Sequence, residues 1–332
     1  MTNLRSWHLR VRRHFVAVIV FAIVATQLSA STSAGSWPER TVRVMLPAAA
    51  GSSIDVAARL YAERLATLWG KPVVIDNRAG ADGILAVQGF LQGNDDHTLL
   101  FAFPGIVTVV PLLHERIPYD PATDLVPISS AAYDFLCVAV TGKLPVSTLG
   151  DFVTYAKSRT GDLNWAAAPG APYLTFLEFQ RRAGTVMTYV PYRSSVLALP
   201  DLITDQIQLV ITPLAPALPL ARDGQIKLLA VTTRERAAAA PDLMTAIEAG
   251  RPELTVEAPL GFFGLKTMPI ELRERIATDV KMLTSDPGIL QRLSSLGMVA
   301  RGSTPAEYAA ILAEQRDRWA ALARAHGIRQ RQ

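Results

Sequence analysis

A chain of 332 residues, 50% of them hydrophobic, holds enough apolar material for one large core or two smaller ones. Its formal net charge of +4 falls to about zero once the arginines of the first 34 residues are set aside, which leaves no basic stripe and argues against a nucleic-acid partner. Cys137 is the single cysteine, so an intrachain disulfide is excluded.

Residues 1–34 carry Arg5, Arg10, Arg12 and Arg13 without any acidic residue, then the apolar run FVAVIVFAIVA and small residues leading into STSAGS. This order of charged, apolar and small-residue regions predicts a cleaved export signal, with Ala34 or Ala30 before the cut; a retained membrane anchor is the alternative. The paired arginines of VRRHF fit twin-arginine export as well as the general secretory route. Export from a bacterial cytoplasm is expected, and Cys137, far beyond the leader, cannot carry a lipid anchor at the mature N-terminus.

Beyond the leader, β-rich runs alternate with helical patterns. TVRVML precedes the helix DVAARLYAERLATLW, closed by Gly70; PVVID precedes a Gly-rich turn and the helix DGILAVQGFLQ. HTLLFAF follows, then FLCVAV, where Cys137 reads as a buried structural thiol, and later MTYVPY, IQLVIT and IKLLAVTT between helical segments. The last third is mostly helical: PIELRERIATDVKMLT, then TPAEYAAILAEQRDRWAALARAHG with Thr304 as N-cap, Glu307 at the capping-box position and Gly327 as stop. The alternation predicts an α/β architecture with largely parallel sheets, in two domains joined by crossing strands.

In open α/β sheets ligands sit at the carboxyl ends of the strands, so the strand-to-helix turns PAAAGSS (47–53), NRAGADG (77–83), AAAPGAPY (166–173) and PYRSS (191–195) are the candidate sites. The first of these can hold a phosphate, a carboxylate or nothing. It lacks the Gly-Lys-Ser/Thr ending of a P-loop, and AGSSI is not the G-x-S-x-G of a nucleophile elbow. Asp55 reads as the N-cap of the following helix and Asp82 as the N-cap of the next. Three histidines remain past the leader, none near another: His97 in a surface loop, His114, and His326 in a last helical turn. No Cys/His cluster and no carboxylate ladder is present, so metal, cofactor and catalytic roles find no support, and a binder is the expectation.

Several segments in order, WPERTVRVMLPAAAG with DVAARL, WGKPVVIDNRAGADG, RIPYDPATDLVPIS, VPYRSS, IKLLAVTT and GSTPAEYAAIL, resemble the extracytoplasmic solute-binding receptors of the tripartite tricarboxylate transporter family. The resemblance runs from about residue 37 to residue 328. It implies a type II periplasmic binding protein fold with two α/β domains, 37–135 plus 258–332 and 136–257, around a cleft. It also implies a small carboxylate ligand and delivery to the large and small subunits of a membrane permease; a monomer is expected. In such receptors carboxylates are held by backbone amides, hydroxyls and water more than by charged side chains.

The departures fall in the turns. Ser52 and Ser53 stand where paired glycines are usual, and PYRSS replaces a glycine-ended turn. AAAPGAPYLT brings Pro169, Pro172 and Tyr173, with Thr175 near the position of an expected histidine, and Leu260 replaces an aromatic.

Arg193 is the first candidate for pairing a ligand carboxylate, with an ordinary ion pair as the alternative. Ser52, Ser53, Ser194 and Ser195 are hydroxyl donors or local caps, and Arg78 braces its loop. Ala48, Ala50, Ala81, Asp82, Pro169, Gly170, Ala171 and Thr212 complete the expected ligand wall, and Tyr173 either stacks on a ligand ring or walls the pocket. The expected motion is domain closure about crossings near residues 132–140 and 253–262. A periplasmic sensor module feeding a signalling partner, and an enzyme on the same fold, are the competing readings.

Overall fold

The computed structural model describes residues 37–168, 170–192 and 194–328, so the leader, Pro169 and Arg193 lie outside the described residues. From Thr41 onward the chain clusters as one unit that contains two sheets. The first is built from β1 (Val42–Leu46), β2 (Val73–Asn77), β3 (Thr98–Ala102), β4 (Leu125–Asp134), β10 (Ala258–Leu265) and β11 (Met298–Ala300), in the order β11-β4-β10-β3-β1-β2. The second takes β5 (Leu136–Thr141), β6 (Asn164–Ala167), β7 (Thr188–Tyr189), β8 (Leu209–Pro213) and β9 (Ile226–Val231), in the order β7-β6-β8-β5-β9.

Only part of the pairing is parallel: β1 with β2 and β3, and β6 with β7 and β8. β10 runs antiparallel to β3 and β4, β11 to β4, and β5 to β8 and β9. The sheets are therefore mixed rather than largely parallel. The reason is the crossings, since a strand arriving from the other sheet enters from the opposite end.

The first crossing is abrupt: β4 ends at Asp134, β5 starts at Leu136, and Phe135 alone lies between. Phe135 donates its N–H to Gly297 (3.4 Å), and its carbonyl accepts from Leu214 (2.8 Å). The return crossing lies between Val256, whose N–H donates to Thr232 at 2.9 Å, and Ala258, which pairs with Asp134 in the first sheet.

Helices cover the sheets. α1 (Ser53–Trp69) buries Ile54, Ala57, Ala58, Tyr61, Ala62, Leu65 and Trp69, a stripe at three- and four-residue spacing that faces the first sheet. Tyr61 fixes its register by donating to the Ala131 carbonyl at 2.6 Å and packing its ring against Phe101 and Phe262. Each large side chain of such a stripe contributes roughly 1.5–3 kcal/mol by leaving water. Gly70 ends the helix with φ 65°, a left-handed conformation that favours glycine.

α2 (Ile84–Gly93) follows β2, and the short α3 (Gly105–Thr108) and α4 (Val110–Leu113) follow β3. The second sheet carries α5 (Leu149–Ser158), α6 (Ala171–Ala183), α7 (Leu199–Thr204) and α8 (Leu214–Arg222), and α9 (Ile270–Leu283) and α10 (Pro287–Ser295) come after β10. Trp165, Phe176 and Phe179 centre the core of the second sheet, while Cys137 lies fully buried on its other side with its thiol pushed up by burial.

α11 (Pro305–Ala325) starts with the expected box: the Thr304 hydroxyl accepts from Glu307 N–H, and the Glu307 carboxylate from Thr304 N–H. Its first half sets Tyr308 and Leu312 into the core of the first sheet, and its second half sets Trp319 into the core of the second. The last helix thus spans both lobes.

Candidate functional site

The ends of β1 and β2 are level, Leu46 opposite Asn77, so the turns after them start side by side. Asp55 organises the first. It is buried in the opening turn of α1 and accepts from Gly51 N–H (2.8 Å), Arg59 Nε (3.0 Å) and Asn77 Nδ2 (2.9 Å). Burial pushes its carboxyl up, but the Arg59, Gly51 and Asn77 hydrogen bonds outweigh this and hold it below the usual carboxylate range. Asn77 also donates to the Ala48 carbonyl at 3.1 Å, which fastens the turn to the end of β2.

The second turn is strained. Gly80, Ala81, Asp82 and Gly83 all have positive φ, at 124°, 47°, 52° and 91°. For Ala81 and Asp82 that conformation costs on the order of 1 kcal/mol each, a strain that clusters at ligand-holding turns. Arg78 spans from Asp76 (3.3 Å) to the flank of α2, where a Cβ on Gly89 would collide with its guanidinium.

On the second sheet β6 runs parallel to β7 and β8, so the turns after these three strands share one edge. The chain turns at Gly170 (φ 96°) into α6, whose start has no side-chain cap. A Cβ on Gly170 would lie 3.3 Å from Val109 Cγ1, and Val109, between α3 and α4, is buried in the core of the second sheet. The junction of α3 and α4, in the segment that follows β3, therefore meets the turn after β6. Beside it, Tyr173 stacks on Trp165 (5.6 Å between centroids, 14°) and meets Tyr189 edge-on (4.7 Å, 62°). Four buried hydroxyls on this lobe, Thr175 Oγ1, Thr185 Oγ1, Thr212 Oγ1 and Thr255 Oγ1, have no hydrogen-bond partner among the described residues.

A family model described as the tripartite tricarboxylate transporter family receptor matches residues 57–328. The chain belongs to that receptor family. A UPF0065 protein of Bordetella bronchiseptica is 33% identical over 327 residues, covering 95% of each chain. Among solved structures, Rpa4515 of R. palustris with adipate is similar at 30% identity and a TM-score of 0.77, covering 89% of this chain and 100% of that one. MatC of Rhodopseudomonas palustris with bound malate is similar at 28% identity and a TM-score of 0.71, covering 86% and 99%. The receptor therefore has the α/β fold of a type II periplasmic binding protein, with two sheets and crossing strands.

Within the receptor, several expected residues have other duties. Ser52, not Asp55, is the N-cap of α1: its hydroxyl accepts from Asp55 N–H (3.4 Å) and donates to the Ala49 carbonyl (2.8 Å), so both its hydrogen-bonding directions are used locally. Asp82 is not an N-cap either, since Gly83 takes that place in α2 without a side-chain bond and Asp82 instead pairs with His114 Nε2 at 2.9 Å. Ser53 and Ala50 are exposed at the first turn, and Ala81 opens the strained second turn. Gly170, Ala171 and Tyr173 sit together at the start of α6. Thr212 is fully buried opposite Cys137 on β8, behind the edge.

Ser194 is exposed and Ser195 buried at the turn after β7, where Ser194 lends its carbonyl to Leu197 N–H at 3.0 Å. His97, in the turn immediately before β3, is buried with Nδ1 2.7 Å from Asp96 Oδ1, so it is not a surface residue. His326 does close the last helix and reaches Glu178 on α6 at 3.3 Å. Val109, His114, Trp165 and Tyr189 escaped sequence reasoning, because only the fold brings them to the turns.

Among the described residues no group of His, Cys, Asp and Glu is placed to hold a metal, and no helix is long and apolar enough to cross a membrane.

Proposed function

We propose that this receptor captures a small carboxylated ligand in the periplasm, between a lobe of residues 37–135 with 258–332 and a lobe of residues 136–257, and hands it to the large and small subunits of a membrane permease. The meeting of the turn after β6 with the α3–α4 junction, at Gly170 and Val109, carries this reading. Helix starts and strained turns there offer N–H groups to an anion, while the nearby carboxylates and cations are already paired with one another. The ligands solved with the two related R. palustris proteins, adipate and malate, are both carboxylates, which supports the same chemical class here.

Arg193, in the sequence PYRSS, is the side chain proposed to pair with the carboxylate, with Ser53, Ala81 and Ser194 contributing amides or hydroxyls. Closure about the crossings at Phe135 and Glu257 expels water and forms the surface the permease reads.

Thermal-shift screening with mono-, di- and tricarboxylates tests the proposal. A ligand at a hundredfold excess over its Kd stabilises by about 2.7 kcal/mol, a rise of several degrees in Tm. No response to any carboxylate, together with turnover of a test substrate, removes the receptor reading in favour of an enzyme.

A further inference from the structure

We infer that the joint between the lobes is a proton-linked latch, in which Asp134 keeps its proton while the lobes are closed and gives it up when they part, so that closure strengthens as pH falls. The inference rests on the lobe closure proposed above and not on which ligand is held. Its first ground is where the carboxyl sits. β4 ends at Asp134, β5 begins at Leu136, and the whole first crossing is Phe135. The second crossing returns to the same point, since Ala258, the first residue of β10, pairs with Asp134, and Met298 of β11 pairs with it as well. Asp134 is thus at the axis about which the lobes turn, and it is only 7% exposed. Its cover is drawn from both lobes. Gly297, beside Met298, abuts α8 so closely that a Cβ on it would lie 2.7 Å from the Ala215 Cβ. Leu214 donates to the Phe135 carbonyl at 2.8 Å, and Cys137 of β5 is near enough for the Asp134 charge to raise its thiol. Parting the lobes draws Ala215 away from Gly297 and lets water reach the corner.

The second ground is what surrounds the carboxyl. The Phe135 amide is its single donor among the described residues, and that N–H also points at the Gly297 carbonyl, 3.4 Å away. Charges on the neighbouring elements are committed elsewhere. Glu257, before β10, pairs with Arg234 (3.6 Å), and Arg301, after β11, pairs with Glu235 (2.9 Å) and lies over the Tyr133 ring. Glu307 of α11 closes the box with Thr304 and feels Lys281 of α9, while α8 has no titratable side chain before Arg222. None of these, nor any other charged side chain of α9, α10 or α11, is among the groups that act on Asp134. An ionised carboxylate so buried with one donor is costly, and burial raises this carboxyl to about 7. An exposed one titrates near 4, so the closed form binds the proton more tightly than the open form. The ratio of closed to open therefore falls as pH rises from about 4 to about 7, by up to tenfold per unit, and levels off above that. A ligand that binds only the closed form is held less tightly by the same factor.

Energy transfer between dyes on Leu85→Cys and Leu197→Cys of the leader-free protein tests this without any ligand. Both side chains are exposed, one beyond the turn after β2 and the other beyond the turn after β7, and the buried Cys137 stays unlabelled. Between pH 5 and 8, with circular dichroism checking that the fold is intact, the dye separation is expected to lengthen toward pH 7 and then hold. Asp134→Asn is expected to keep the short separation throughout and to lack the infrared band of a buried protonated carboxyl that wild type shows at pH 6; Asp134→Ser takes its place if the Asn variant melts early. A wild type without that band, a separation that ignores pH, or one that shifts equally in wild type and variant overturns the inference and leaves ligand capture standing. If neither pH nor any mono-, di- or tricarboxylate alters the separation, the proposed closure falls with it.

Discussion

Asp55 allows a quantitative test of how the first turn is held. Its two oxygens divide the work: Oδ1 accepts from Asn77, and Oδ2 from Gly51 and Arg59. Asp55→Asn keeps the shape but leaves one oxygen and one NH2. If the oxygen stays with Gly51, the new NH2 faces the Asn77 amide and that bond is lost, at about 1.5 kcal/mol for a donor to a charged acceptor. The Arg59 pair is half exposed on the arginine side and adds about 0.5 kcal/mol. A loss of about 2 kcal/mol at pH 7 follows, or roughly 3–4 °C in Tm for a chain of this size.

The pH dependence has a definite sign. Asp55 is held below its ordinary value in the fold, so its contribution is complete above about pH 4 and fades as pH falls through the depressed folded value. Urea unfolding followed by tryptophan fluorescence should show a constant gap between wild type and variant from pH 5 to 8, narrowing below about pH 4. Equal midpoints at pH 7, or a gap undiminished at pH 3, would refute the assignment of Asp55 as the hub of this turn.

Asp134 gives the opposite sign. It is buried where both crossings meet, paired in register with Ala258 and Met298, and burial raises its carboxyl to about 7 against the opposing Phe135 amide. The fold therefore holds the proton that the unfolded chain releases, and stability declines as pH rises from about 4 to 7; Asp134→Asn should flatten that decline and gain up to about 4 kcal/mol on wild type above pH 8. Parallel urea midpoints across pH would contradict this.

Glu178 is held at about 2 by its Arg181 and Arg182 hydrogen bonds against burial, and it also meets His326. Glu178→Gln should cost on the order of 1–2 kcal/mol at pH 7, with the difference fading as pH falls from about 4.5 toward 2, and hydrogen exchange should quicken at residues 322–328. Unchanged exchange there would detach the C-terminal helix from this cluster. Arg193→Ala should weaken carboxylate binding at least tenfold, about 1.4 kcal/mol, by calorimetry, and unchanged affinity would return Arg193 to a structural role.

The sequence revealed the elements better than their partners. Periodicity located α1, α9 and α11, and the Thr304 and Glu307 box and Gly70 marked helix ends that the fold retains. The caps of α1 and α2 were misread because Ser52 and Asp55 are both N-cap types three residues apart, and only geometry shows which side chain reaches which N–H. Four consecutive positive φ angles at residues 80–83 displaced Asp82 from the helix start to His114. Nothing in the pattern of α11 tells that its two halves enter different cores, since helical periodicity gives a face but not the sheet it meets. The turns were legible from their small residues and prolines. The aromatic cluster was not, because Trp165, Tyr173 and Tyr189 come from three separate segments.

The central claim is that the strand-end turns of both sheets close on a carboxylate. A crystal structure determined with the acid that binds most tightly tests it most directly. The account predicts carboxylate oxygens within about 3.2 Å of donors in the turns at residues 47–53, 78–83 or 191–195. A ligand seated away from these turns, or held with no donor from any of them, would contradict it.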